Sequence, residues 1–189
     1  MRERPAADAL TETLACDLDG SFERMVREFQ DKLYSFALRL TGRREDAEDV
    51  AQDAFVRAYR ALKTYPAHRI RALALKAWLY RITLNVARNR YRGKKHVFVP
   101  IDSWEGQDDP SQRPDALLAS RRRRIDLQTL VAGLPERYRN AIVLRYVEGL
   151  RVEEVASILK QPLGTTKSNL HRAVNALRAA ITQSRRVRS

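Results

Sequence analysis

VEEVASILKQPLGTTKSNLHRAVNALRAAI, residues 152–181, is the stretch on which the reading of the fold turns. Its second half places Thr166, Leu170, Val174, Leu177 and Ile181 four, four, three and four residues apart, which sets one buried helical face. The opposite face then carries Thr165, Lys167, Ser168, His171, Arg172 and Asn175. These side chains can donate to phosphates and base edges, and they crowd a helix N-terminus whose free N–H groups also favour phosphate. A shorter helix, about Val152 to Leu159, precedes it across Lys160-Gln161-Pro162-Leu163-Gly164. Two helices joined by so short a turn, the second one basic, form a helix-turn-helix arrangement.

Upstream, the helical pattern continues. Leu127, Leu130, Val131 and Leu134 form one stripe closed by Pro135. Glu136 to Glu148 carries Tyr138, Ile142, Val143 and Tyr146 or Val147, with Gly149 as its stop. The composition breaks at VFVPIDSWEGQDDPSQRPD (97–115), where three prolines, a glycine and five acids face a single arginine. Such a stretch is too polar and proline-rich for a core and reads as a flexible acidic linker, taken here as 97–124. Before it, Phe22, Val26, Phe29, Leu33, Phe36, Ala37 and Leu40 make a stripe ended by Gly42. A second helix, about Arg44 to Leu62, buries Ala47, Val50, Ala51, Ala54, Phe55, Ala58 and Leu62. Its acidic first turns (Glu45, Asp46, Glu48, Asp49) suit the positive end of the helix dipole. Pro66 opens a basic loop to about Arg71, and a third helix, about Leu73 to Arg92, buries Leu75, Leu79, Ile82 and Val86. No segment alternates as a strand does. The expected fold is all-α: an N-terminal tail (1–20), a helical domain (21–96), the linker, and a helix-turn-helix domain (125–183).

The charge is placed as tellingly as it is counted. Lys plus Arg number 36 against 23 Asp plus Glu, a formal net charge of +13. Between Asp53 and Asp102 there is no acid but there are twelve basic residues, and after Glu154 there is none but seven basic ones. Ordinary solvated helices mix both signs, so two acid-free basic stretches read as two footprints for a phosphate backbone. In the first, Arg81, Asn85, Arg88, Arg92 and Lys95 form a continuous stripe interleaved with Trp78, Tyr80 and Tyr91. Arginine stripes track phosphates and exposed aromatics stack on unpaired bases, although Trp78 by itself reads as core.

Other classes find little support. No run of about 18 apolar residues could span a membrane. The N-terminus leads into polar residues, so no secretory signal is expected. A single cysteine, Cys16, allows no intrachain disulfide, and a reducing cytoplasm fits it. The three histidines are scattered, no glycine loop could cradle a phosphate, and no nucleophile–base signature appears, so no enzyme and no cofactor are expected. A lone helix-turn-helix repressor would leave the first domain's basic stripe and acidic helix without a purpose.

Three motifs go further. DAEDVAQDAFVRAYRAL (46–62), KAWLYRITLNVARNRYR (76–92) and LPERYRNAIVLRYVEGLRVEEVAS (134–157) followed by PLGTTKSNLHRAVNALR (162–178) closely resemble the extracytoplasmic-function sigma factors, in order and spacing around a linker. The resemblance implies that the chain binds core RNA polymerase, through its beta-prime and beta subunits, and directs promoter-specific initiation. It implies docking through Asp46, Asp49, Gln52, Asp53 and Arg57. It implies recognition and melting of a minus-ten element by Tyr80, Arg81, Asn85, Arg88 and Arg92, with His68, Arg69 and Arg71 from the loop. Reading of a minus-thirty-five element falls to Thr165, Lys167, Ser168, His171, Arg172 and Asn175. Promoter DNA and an anti-sigma factor are implied partners. Five departures from the family pattern stand out: Arg151 for a capping Ser, Lys160 for Gly, Thr166 for Val, Asn169 for Arg and Asn89 for Asp. Lys160 removes a residue that tolerates positive φ from the turn, and Asn169 is expected to alter base or phosphate contacts.

Overall fold

A computed structural model describes residues 6–90, 127, 129–131 and 133–188, and the surroundings of the side chains in 9–90, 127, 129–131 and 133–183. Among these residues every regular element is a helix, and the chain divides into two compact units, 1–97 and 98–189.

The first unit contains α1 (Ala6–Cys16), α2 (Leu18–Thr41), α3 (Arg44–Thr64), α4 (Ala67–Arg71) and α5 (Leu75–Arg90). Asp17 caps α2, its carboxylate accepting from the Gly20 N–H at 3.0 Å. Gly42 ends the helix at φ 73°, where a residue without a Cβ is unstrained, and its N–H returns to Leu38 at 2.8 Å. Alanines at 47, 51, 54 and 58 let α3 lie close against α2, and Met25, Phe29, Leu33 and Phe36 fill the seam.

Two expectations fail in this unit. Residues 6–16, expected as part of a tail, form a helix that packs on α4 and α2 with Leu10 and Leu14 fully buried. Two leucine side chains, worth about 1.5–3 kcal/mol each when fully buried, hold it there. Pro66 to Arg71, expected as a loop, is a helical turn because Ile70 is anchored in the core at 4% exposure. Pro66 precedes that turn, where its fixed φ and missing N–H cost nothing.

In the second unit, residues 127 and 129–131 are helical, and after Pro135 comes α6 (Glu136–Ile142), which runs on as a π-helical turn, Val143–Val147. Within that turn the Glu148 N–H reaches Val143 at 3.0 Å. Gly149 at φ 67° then reverses the chain, and Arg145 Nη1 donates to the Leu150 carbonyl at 3.1 Å. α7 (Val152–Leu159) starts without a side-chain cap from Arg151. Instead the Glu154 carboxylate accepts the Arg151 N–H at 2.7 Å. The turn to α8 (Leu163–Arg188) puts Lys160 at φ 54°, the one non-glycine residue with positive φ among those described. Leu144, Leu150, Val155, Ile158, Leu170 and Ala173 form the core of this unit. The expected linker, 97–124, lies outside the described residues.

Candidate nucleic-acid interface

In α8 the two faces separate cleanly. Thr165, Lys167, Ser168, His171, Arg172 and Asn175 are all exposed, while Thr166, Leu170 and Ala173 are buried and Val174, Leu177 and Ile181 half-buried. The Thr166 hydroxyl donates to the Pro162 carbonyl at 3.3 Å, so a polar residue sits in this core without an unmet donor. Asn175 Nδ2 lies 3.4 Å from the ring nitrogens of His171, tying two of the exposed residues together. Arg172 hydrogen-bonds the Tyr138 hydroxyl on α6, and Arg137 reaches the same oxygen at 3.2 Å. The two guanidinium groups hold the Tyr138 phenol below its usual pKa, Arg172 contributing most. Arg137 and Tyr138 thus join this surface, although their sequence pattern marks only an ordinary amphipathic helix.

Asn169 corrects an expectation. It is only 7% exposed, and its Nδ2 donates to Gln161 Oε1 at 3.0 Å across the turn. It therefore braces the helix-turn-helix from inside and is not presented to DNA.

The first unit's candidate surface gathers on α4 and the outer side of α5. His68, Arg69 and Arg71 are exposed, as is Arg88, and Arg81 and Asn85 are half-buried. Arg92 lies outside the described residues. Arg71 is already engaged: its Nε lies 3.0 Å from both carboxylate oxygens of Glu12 on α1, and this pairing raises its pKa further.

Tyr80 is the second correction. Expected to face unpaired bases, it is 0% exposed, its ring edge-on to Phe36 at 5.0 Å. Tyr80, Leu84 and Ala87 form a buried stripe beside that of Leu75, Leu79 and Val86, because α5 is covered by α1, α2 and α3. The accessible aromatic nearby is half-buried Tyr65, with the Arg69 guanidinium 3.7 Å above its ring and Trp78 behind it at 6.1 Å. Tyr65 escaped the sequence reading because it lies between helices, outside any periodic pattern.

On α3, Asp49, Gln52 and Arg57 are exposed and Asp46 and Asp53 half-buried, so all five share the outward side. Among the described residues no group of His, Cys, Asp and Glu could hold a metal ion, and no helix is long and apolar enough to cross a membrane.

Comparison with known proteins places the chain in a family. Sigma-70 region 2 matches residues 25–97, and Sigma-70 region 4 matches residues 124–177. The chain is similar to the ECF RNA polymerase sigma factor SigW of Bacillus subtilis, at 34% identity over 84% of this chain and 87% of the relative. Its fold is like that of CnrH in complex with the cytosolic domain of CnrY, with TM-score 0.67, 24% identity and coverage of 94% and 98%. It is also like the sigma factor RpoE in complex with the anti-sigma factor NepR from Bartonella quintana, with TM-score 0.60, 23% identity and coverage of 85% and 96%.

Proposed function

The chain belongs to the extracytoplasmic-function RNA polymerase sigma factors, and on that premise we propose how its two units divide the work of transcription initiation. As a sigma factor it binds core RNA polymerase and directs initiation at promoters, acting by binding and not by turnover. Residues 21–96, together with the packed helix α1, serve as the domain that docks on polymerase and recognises and opens the minus-ten element. Residues 97–124 link it to the domain at 125–183, which reads the minus-thirty-five element.

The single observation that carries the second assignment is the composition of α8. Six polar or basic side chains share its exposed side, and no acid follows Glu154 to repel a phosphate. Lys167 and Arg172 offer cations, Thr165 and Ser168 hydroxyls, and Asn175 an amide able to pair with a base edge in the major groove. In the first unit, Arg81, Asn85 and Arg88 line up one helical step apart on α5, and α4 adds exposed His68, Arg69 and Arg71. With Tyr80 in the core, the Tyr65–Arg69 pair takes over as the platform for an unpaired base, since a guanidinium plane also stacks on bases. The α3 face of Asp46, Asp49, Gln52, Asp53 and Arg57 meets a basic surface of core polymerase. An anti-sigma factor is a further partner, as NepR is for the similar RpoE.

In vitro transcription with core polymerase on a library of genomic fragments tests the whole reading. Discrete start sites sharing two upstream elements are expected. Output no higher than that of core enzyme without the chain would overturn it.

A further inference from the structure

On the outward side of α3, Asp46, Asp49 and Asp53 each already face an arginine of their own chain, and exposed Glu45 shares Arg43 with Asp46 at 3.7 Å. Arg43 Nε stands 4.0 Å from Asp46 Oδ2. Arg90 of α5 bonds Asp49 through Nη2 and reaches Asp53 Oδ2 at 3.4 Å through Nη1.

Arg90 differs from the arginines of the basic stripe. It follows Arg88 by two residues, about 200° around the helix, so it points at α3 and away from the stripe. Asp49 and Asp53 are one helical turn apart, and a planar guanidinium fork can serve both carboxylates at once. All three groups remain open to water, with side chains 40%, 50% and 48% exposed for Arg90, Asp49 and Asp53. A pair this exposed is screened by solvent and salt and is cheap to separate. A cationic partner arriving from solvent would address the same two carboxylates.

We propose that Arg90 is a positioning residue for polymerase docking, an internal counter-ion that occupies Asp49 and Asp53 until basic groups of core polymerase displace it. The inference rests on the assignment of the α3 face to docking. Docking is then an exchange of counter-ions, and Arg90 holds its strength below what the bare carboxylates would give.

Competition binding of the full chain to core polymerase, over a series of salt concentrations, tests the exchange. R90A is expected to bind core about three- to tenfold more tightly at low salt, with a steeper salt dependence. The gain should vanish in a D49N/D53N background. A merely structural role would weaken binding and would not depend on the two aspartates. R90Q, which keeps most of the side chain's bulk, replaces R90A if the latter lowers the unfolding midpoint. Equal or weaker binding by a folded Arg90 variant overturns the proposal. The docking assignment fails separately, if D49N/D53N in the presence of Arg90 binds core as tightly as the unsubstituted chain.

Discussion

Replacing Tyr80 by alanine separates a core residue from a base-stacking one. Tyr80 is 0% exposed and meets Phe36 edge-on at 5.0 Å. Truncating a fully buried aromatic to alanine costs about 3–5 kcal/mol, from lost transfer energy and the cavity left behind. The aromatic pair accounts for about 0.5–1.5 kcal/mol beyond the area buried. A loss of this size is a large share of the roughly 5–15 kcal/mol by which a domain is stable. For a domain of this size each 1 kcal/mol shifts the midpoint by about 4–8 °C, so a fall of at least about 12 °C is expected. Trp78 reports it directly: it is buried in the same unit, and Trp104→Phe removes the chain's one other indole. Urea unfolding followed by Trp78 fluorescence in that background should show a lower midpoint with an unchanged slope. An unchanged midpoint, combined with lost permanganate reactivity of promoter thymines in the holoenzyme, would refute the burial argument and return Tyr80 to the melted strand.

Three further outcomes follow from particular contacts. Lys160→Gly relieves a side chain held at φ 54°, and since the left-handed conformation costs a non-glycine residue about 1–2 kcal/mol against the flexibility glycine adds, a net gain of about 0.5–1 kcal/mol is expected in thermal unfolding. Arg172→Ala and Lys167→Ala should weaken promoter binding by about 1–3 kcal/mol each where a base contact is lost, or uniformly with a shallower salt slope where only phosphate is touched; Asn169→Ala should instead lower thermal stability and leave base preference in footprinting unaltered. Leu14→Ala, at 1% exposure in α1, should cost about 2–5 kcal/mol and speed amide exchange in α4, whereas a packing role for α1 is refuted if α4 exchanges at its original rate.

Local chemistry alone determined a good deal of this protein. The recurrence of apolar residues every three or four positions marked the helices, because one buried stripe is a property of a segment and needs no knowledge of its neighbour. The stops at Gly42, Pro135 and Gly149 are equally local, since they depend on backbone conformation and missing donors. The exposed face of α8 was legible for the same reason: a helix at the edge of a small unit has one neighbour side, so periodicity divides it correctly. Tyr80 was misread because α5 is covered by three helices, and how many neighbours surround a helix is decided by distant parts of the chain. α1 was missed because its large apolar residues are only Leu10 and Leu14, too few to mark a stripe, and only the surface of α2 and α4 gives them somewhere to be buried. Polar pairing was likewise left to the tertiary structure. Asn169 with Gln161, Glu12 with Arg71, and Arg90 with Asp49 and Asp53 join residues 8, 59, 41 and 37 positions apart. Charge pattern shows which sign a surface carries. Which charges neutralise each other depends on distances of a few ångströms that only the folded chain sets.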